Sequence, residues 1–198
     1  DTGVHCAQQY FHCDIDRSFD PSHLVQRMNA FLPRDIAIRS IRKVRPDASA
    51  RYAAIARTYE YHITRVKDPL HEGLAFYFFK PVNLQTLNRA CALLLGMHDF
   101  QCFSKVHTDV DHFLCDIREA RWVQKGELMT FRITANRFLR GMVRAVVGTL
   151  LDVGTGKISL EEFKAILASR DRKKAGMNVP ADGLFLVRVK YPGRIFVN

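Results

Sequence analysis

Two runs, Ile117 to Val123 and Leu128 to Thr134, flank Lys125–Gly126 and constrain the fold more than any other feature of the sequence. Both are rich in β-branched and aromatic residues, and a glycine in the short connection supplies the backbone freedom of a tight hairpin. They read as paired strands, which excludes an all-helical fold. Neighbouring segments must then either extend this sheet or pack on it.

Further strands are expected on both sides of the pair. From Tyr52 to Val66 the residues Ile55, Tyr59, Tyr61 and Ile63 share one parity, as a half-buried strand requires. Val4 to Ile15 reads as an opening strand, Leu184 to Val189 as a closing one, and Ile36, Ile38 and Ile41 to Val44 suggest another. Helices alternate irregularly with these. Pro21 and Ser22 open one whose apolar positions Leu24, Val25, Met28, Phe31 and Leu32 follow helical spacing, and Pro33 ends it. Leu84, Leu87, Cys91, Leu94 and Leu95 mark a second, closed by Gly96. Phe138 to Leu151 reads as a third ending near Gly154, and Ser159 with Glu162 forms a capping box that opens a fourth. Without strict β-α-β alternation, the pattern predicts an α+β domain: an antiparallel or mixed sheet with helices packed on it. The segment Lys67 to Pro81, punctuated by Pro69, Gly73 and Pro81, is the best linker candidate.

Charge narrows the choice of partner. Thirty Lys and Arg against 20 Asp and Glu give a net charge of +10, and release of phosphate counterions makes such an excess favourable toward a polyanion. Cys6, Cys13, Cys91, Cys102 and Cys115 are odd in number and contain no C-x-x-C pair, which argues against a disulfide framework or a zinc ribbon. No apolar run reaches the length of a membrane span; the most apolar stretch, Met142 to Val153, is interrupted by Arg144, Gly148 and Asp152.

Three segments carry chemistry beyond the fold. Asp1-Thr2-Gly3-Val4-His5 places an acid ahead of a glycine, ordinarily a turn and alternatively a reactive carboxylate. Arg57-Thr58-Tyr59-Glu60-Tyr61 sets two tyrosines on one face of a strand, either as core or as stacking surfaces for a nucleobase. In Asn136 to Arg144, the residues Arg137, Arg140 and Arg144 would form one stripe of a helix, opposite Phe138, Leu139, Met142, Val143, Val146 and Val147. Such a stripe is either a solvated face or an anion-facing surface.

Six segments in register resemble one family. D-T-G-V-H followed by Gln9 is similar to the end of the R-T-D-x-G-V-H-A motif of the TruA family of tRNA pseudouridine synthases. Asn29 to Ile36 resembles L-N-x-x-L-P-x-D-I, and Ala50-Arg51 with Arg57-Thr58-Tyr59-Glu60-Tyr61 resembles A-R-x-x-A-x-x-R-x-Y-x-Y. His98-Asp99-Phe100 resembles H-D-F, and Ala135 to Gly148 resembles A-N-x-F-L-x-x-M-V-R-x-x-V-G. Pro180-Ala181-Asp182-Gly183-Leu184 matches P-A-x-G-L.

The resemblance implies a pseudouridine synthase fold, a central mixed or antiparallel sheet built from two related α+β halves with flanking helices. Residues 1–70 would be the remainder of an N-terminal half, 81–198 the C-terminal half and 71–80 the connection. It implies Asp1 as nucleophile, Tyr59 against the target base and Arg144 as partner of the carboxylate. It also implies a uridine of the tRNA anticodon stem-loop, positions 38–40, as the target. An RNA-gripping set of His5, Arg51, Arg57, Lys105, His107, Arg137 and Arg140 would hold the flanking backbone. The isomerisation requires no metal, nucleotide or redox cofactor. The resemblance further implies a homodimer acting in the cytoplasm. The family's Arg-Thr before the Asp, and the strand and helix upstream of it, have no counterpart in these 198 residues, so a longer parent polypeptide is expected. A non-catalytic basic RNA-binding module is the alternative, and it leaves the matching positions of Asp1, Tyr59 and Arg144 without a reason.

Overall fold

The computed structural model describes residues 2–106 and 110–197. In chain order the elements are β1 (His5–Cys6), α1 (Pro21–Phe31), β2 (Ala56–Thr64), β3 (Phe76–Tyr77), α2 (Leu84–Ala92), β4 (Gly96–Asp99), β5 (Leu114–Lys125), β6 (Leu128–Ala135), α3 (Met142–Gly154), α4 (Leu160–Ser169) and β7 (Leu184–Lys190). By contacts the chain divides into two units: 2–9 with Ile55–Lys190, and Tyr10–Ala54 with 191–197.

The first unit is a mixed sheet in the order β1-β7-β2-β6-β5-β4, with β3 beside one end of β2. β1 runs parallel to β7 and β3 parallel to β2; the remaining pairs are antiparallel. The hairpin expected at Lys125–Gly126 forms as β5 and β6, with Lys125 opposite Leu128 and Gly126 at a φ of 60°. That left-handed conformation favours glycine.

Alternation along β2 separates two chemistries. Tyr61 and Ile63 are fully buried, together with Met129, Phe131 and Ile133 of β6, under α2, α3 and α4. Helix α3 fills the centre of this core: Ala145, Val146, Val147 and Leu150 expose nothing to solvent. The other parity is polar. Glu60 receives a hydrogen bond from Arg132, which also reaches Glu119 at 3.4 Å, while Arg121 donates to Glu119 at 2.8 Å. Thr58 and Thr134 pair across the strands at 2.9 Å.

The capping box of α4 is present, Ser159 Oγ accepting from Glu162 N while the Glu162 carboxylate accepts from Ser159 N. The expected opening strand is reduced to two residues. Gln8 Oε1 accepts from Val189 N at 2.9 Å, so a side chain takes the donor that further strand pairing would use.

In the second unit, Asp20 caps α1 through Ser22 N at 2.8 Å, with Pro21 in the first turn. Asn29 clasps Ile38 with two bonds, Nδ2 to Ile38 O at 2.8 Å and Ile38 N to Oδ1 at 2.7 Å. Those bonds replace the strand expected over 36–44, of which only an isolated bridge between Val44 and Phe196 forms. Among the described residues, no helix is long and apolar enough to cross a membrane.

Candidate active site

Tyr59 lies in β2 with a side chain that is partly buried, and its ring meets Phe138 edge-on at 5.1 Å and 87°. Burial raises its phenol pKa against the opposing charge of Arg57, so the hydroxyl stays protonated at neutral pH. The second tyrosine has a different task. Tyr61 is fully buried and donates to Pro180 O at 2.8 Å, which removes it as a stacking surface and makes it an anchor for the loop before β7.

That loop is the organising feature of the site. Arg144, in the first turn of α3, donates from Nε to Val179 O at 2.6 Å, and Val179 N returns a bond to Arg144 O at 3.4 Å. Among the described residues, no acceptor takes Nη1 or Nη2 of Arg144. The planar end of the guanidinium is therefore available to a carboxylate in the two-point geometry that arginine favours. Two residues further along the loop, a Cβ placed on Gly3 would lie 3.3 Å from the Ala181 Cβ. Gly3 itself sits at a φ of 79°, a conformation that L side chains rarely adopt. The residues Tyr61, Arg144 and Gly3, from three distant stretches of sequence, thus converge on 179–181. Asp1 lies outside the described residues.

The predicted arginine stripe is not helical. Residues 136–140 precede α3, because Asn136 ties them to β5: its Oδ1 accepts from Asp116 N at 2.8 Å and from Arg137 N at 2.7 Å. Gly141 then turns the chain at a φ of 73°, and the helix starts one residue later. Only Arg144 of the three arginines is on the helix. Arg137 donates to His112 Nε2 at 3.2 Å, and Arg140 is exposed, its carbonyl accepting from Lys105 N at 2.9 Å. The backbone of Lys105 is thereby brought against that of Arg140, three residues after Arg137.

The remaining basic candidates are dispersed. His5 donates from Nε2 to Gly73 O at 2.8 Å and stacks on Phe185 at 4.6 Å, with His62 on the same ring at 4.7 Å. Arg57 lies in β2 beside Tyr59. Arg51 belongs to the second unit, where its guanidinium carbon lies 5.2 Å from the centre of the Tyr52 ring. His107 lies outside the described residues. Sequence reasoning gave Val179 and Pro180 no part in orienting a side chain, and placed Phe138 on the apolar face of a helix rather than against Tyr59. The P-A-x-G-L match pointed at the loop, but nothing in it reveals that a backbone carbonyl receives the arginine.

Comparison with known proteins supplies the rest. A family model described as tRNA pseudouridine synthase matches residues 90–192. The chain is 46% identical over 202 residues to tRNA pseudouridine synthase A of Porphyromonas gingivalis, covering all of this chain and 80% of the relative. Identity to the protein of the same name from Bacteroides fragilis is 43%, over 99% of this chain and 79% of that one. The Bacillus subtilis protein of that name is 36% identical, over 96% and 78%.

Proposed function

This chain belongs to the tRNA pseudouridine synthase A family, and from that premise we propose that it isomerises uridine to pseudouridine in the tRNA anticodon stem-loop, at positions 38–40, with Asp1 as nucleophile. The observation that carries this reading is the placement of Gly3 against Ala181, two residues along the loop from the carbonyl that holds Arg144. Asp1 precedes Gly3 by two residues in the sequence, which is why the Gly3 contact supports this reading.

The chemistry follows from those groups. The N1–C1′ bond of the target uridine breaks, the uracil turns, a C5–C1′ bond forms, and the C5 hydrogen leaves as a proton while N1 gains one. Atoms and electrons balance with no further reactant. The Asp1 carboxylate supplies the electron pair and stabilises positive charge that develops at the sugar. Arg144 keeps that carboxylate ionised where water is excluded, through the attraction that lowers an acid's pKa beside a cation. Tyr59, protonated and braced by Phe138, presents its ring to the everted base and its hydroxyl to the proton traffic.

Eversion of a stacked nucleotide costs a few kcal/mol. Cationic contacts to the flanking phosphates offset it, and Arg137, Arg140 and Lys105 around the turn before α3 are suited to this. Arg57, His5, Arg51 and His107 complete the proposed set. The proposal includes a homodimer acting in the cytoplasm, where its substrate is matured.

The test is release of tritium from C5-labelled uridine in a tRNA transcript by the natural protein and by its Asp1→Asn variant. Release by the first and none by the second is the expected result. A folded natural protein that binds tRNA without release would refute the catalytic reading in favour of a binding module.

A further inference from the structure

Arg144 takes its aim from a carbonyl that belongs to no helix or strand, so something else must fix that carbonyl. The segment from α4 to β7 crosses α3 as a strap, and two groups seat it. On the helix side, Thr149 Oγ1 accepts from Gly176 N at 2.9 Å while donating to Ala145 O at 2.8 Å. Gly148 lets the strap lie against the helix, since a Cβ there would stand 1.9 Å from Met177 O. On the other side stands Arg172. Its Nη1 donates to Gly176 O at 3.0 Å and to Ala175 O at 3.4 Å, and its Nη2 donates to Asn178 Oδ1 at 3.0 Å. Arg172 is itself set by the turn that leaves α4, where Asp171 accepts from Lys173 N at 2.9 Å and donates its own N–H to Ser169 Oγ at 3.2 Å.

We propose that Arg172 is a positioning residue for the isomerisation: it ties 175–178 into the shape that Gly148 and Thr149 of α3 receive, and so fixes the Val179 carbonyl that orients Arg144. A rigid planar fork is suited to this task because three acceptors lie around one guanidinium, a geometry that a lysine ammonium cannot reproduce. Arg172 acts through the loop and touches neither base nor sugar. Misplacement of a catalytic group by about 1 Å costs roughly 100-fold in rate, so a loosened strap registers in turnover rather than in substrate affinity. This inference rests on the reading of Arg144 given above.

The experiment compares Arg172→Met, Arg172→Lys, Arg144→Lys and the Arg144→Lys/Arg172→Met pair in the natural protein, by tritium release and by tRNA filter binding. Arg172→Met is expected to lower kcat by roughly 10- to 100-fold, with KM and tRNA affinity within about twofold, and Arg172→Lys to recover part of the loss. The double variant is expected to be no slower than Arg144→Lys, because both substitutions remove one orienting device. Unchanged kcat in Arg172→Met, or full additivity in the double variant, would overturn the proposal. So would a salt-dependent rise in KM, which would make Arg172 an RNA contact. Wild-type turnover by Arg144→Lys would sink the reading of Arg144 itself, a result separable from the others. Should Arg172→Met not fold, Asn178→Ala removes one acceptor of the same clamp and carries the same expectation for kcat.

Discussion

Gly148→Ala is the sharpest perturbation of the strap. The added Cβ would stand 1.9 Å from Met177 O and 3.1 Å from Met177 C. Ordinary contact begins near 3.4 Å, so the two backbones must separate by about 1.5 Å. Helix α3 has no room to retreat, because Val146, Val147 and Leu150 are fully buried on its other faces. The strap therefore lifts, and two bonds stretch with it: Gly176 N to Thr149 Oγ1, and Arg144 Nε to Val179 O. Overpacking costs about 1–3 kcal/mol and each of the two lost bonds about 1 kcal/mol, for a total of roughly 3–5 kcal/mol. In a chain of this size that lowers Tm by roughly 6–20 °C, measurable by calorimetry or a circular dichroism melt. The folded fraction should also turn over more slowly, since the Arg144 acceptor moves. Gly154→Ala is the control: its Cβ would meet the Leu87 side chain at 2.7 Å, far from the strap, so it should destabilise the protein while leaving kcat of the folded enzyme intact. A Gly148→Ala protein melting within about 1 °C of its parent would refute the packing argument, because about 1.5 Å of backbone displacement cannot be free of cost.

Other perturbations probe separate parts of the molecule. Tyr61→Phe deletes the donor to Pro180 O inside the core, and a urea titration should show a loss of about 1–3 kcal/mol with the slope unchanged. Glu119 is partly desolvated, which opposes ionisation, yet bonds from Arg121 and Thr134 and the charges of Arg132 and Arg121 hold its pKa below the ordinary 4.5. Its folded pKa is depressed, so its contribution is full above 4.5 and is lost as pH falls through the lower folded value; Glu119→Gln should therefore flatten the fall of Tm in that acid window. Burial pushes the Cys91 and Cys102 thiols up to about 12 and Cys115 up to about 11, whereas Cys6 and Cys13 are exposed. Iodoacetamide at pH 8 should thus label the two exposed cysteines of the native protein and all five after denaturation, as intact mass will show.

What the sequence disclosed follows the range of the interactions concerned. The hairpin β5–β6, helices α1 and α2, and the capping box of α4 are specified by residues within a few positions of one another, and those elements form where their signals lie. The start of α3 was misread for a physical reason. Asn136 reaches 20 residues back to Asp116, and that long-range bond holds Arg137 to Arg140 outside a helix that local periodicity would extend over them. The same applies to 36–44, where the Asn29 amide supplies a pair of bonds that hydrophobic alternation would assign to a neighbouring strand.

The candidate site divides along the same line. Tyr59 and Arg144 could be proposed from the sequence because each sits in a motif of fixed residue types, and side-chain identity is what a sequence records. Their supports were not legible, because those supports are backbone atoms: the carbonyls of Val179, Pro180, Ala175 and Gly176 carry no signature of the residue that bears them. Gly148 and Gly176 come nearest to a signal, as each lacks a Cβ where strap and helix touch. Seen together with Arg172, they mark a contact between two backbones that no side-chain motif describes. On the proposal made for Arg172, orientation of Arg144 depends on the strap that these residues hold. Substitutions along 172–179 should therefore move kcat in proportion to how far they displace one carbonyl oxygen, whatever charge they add or remove.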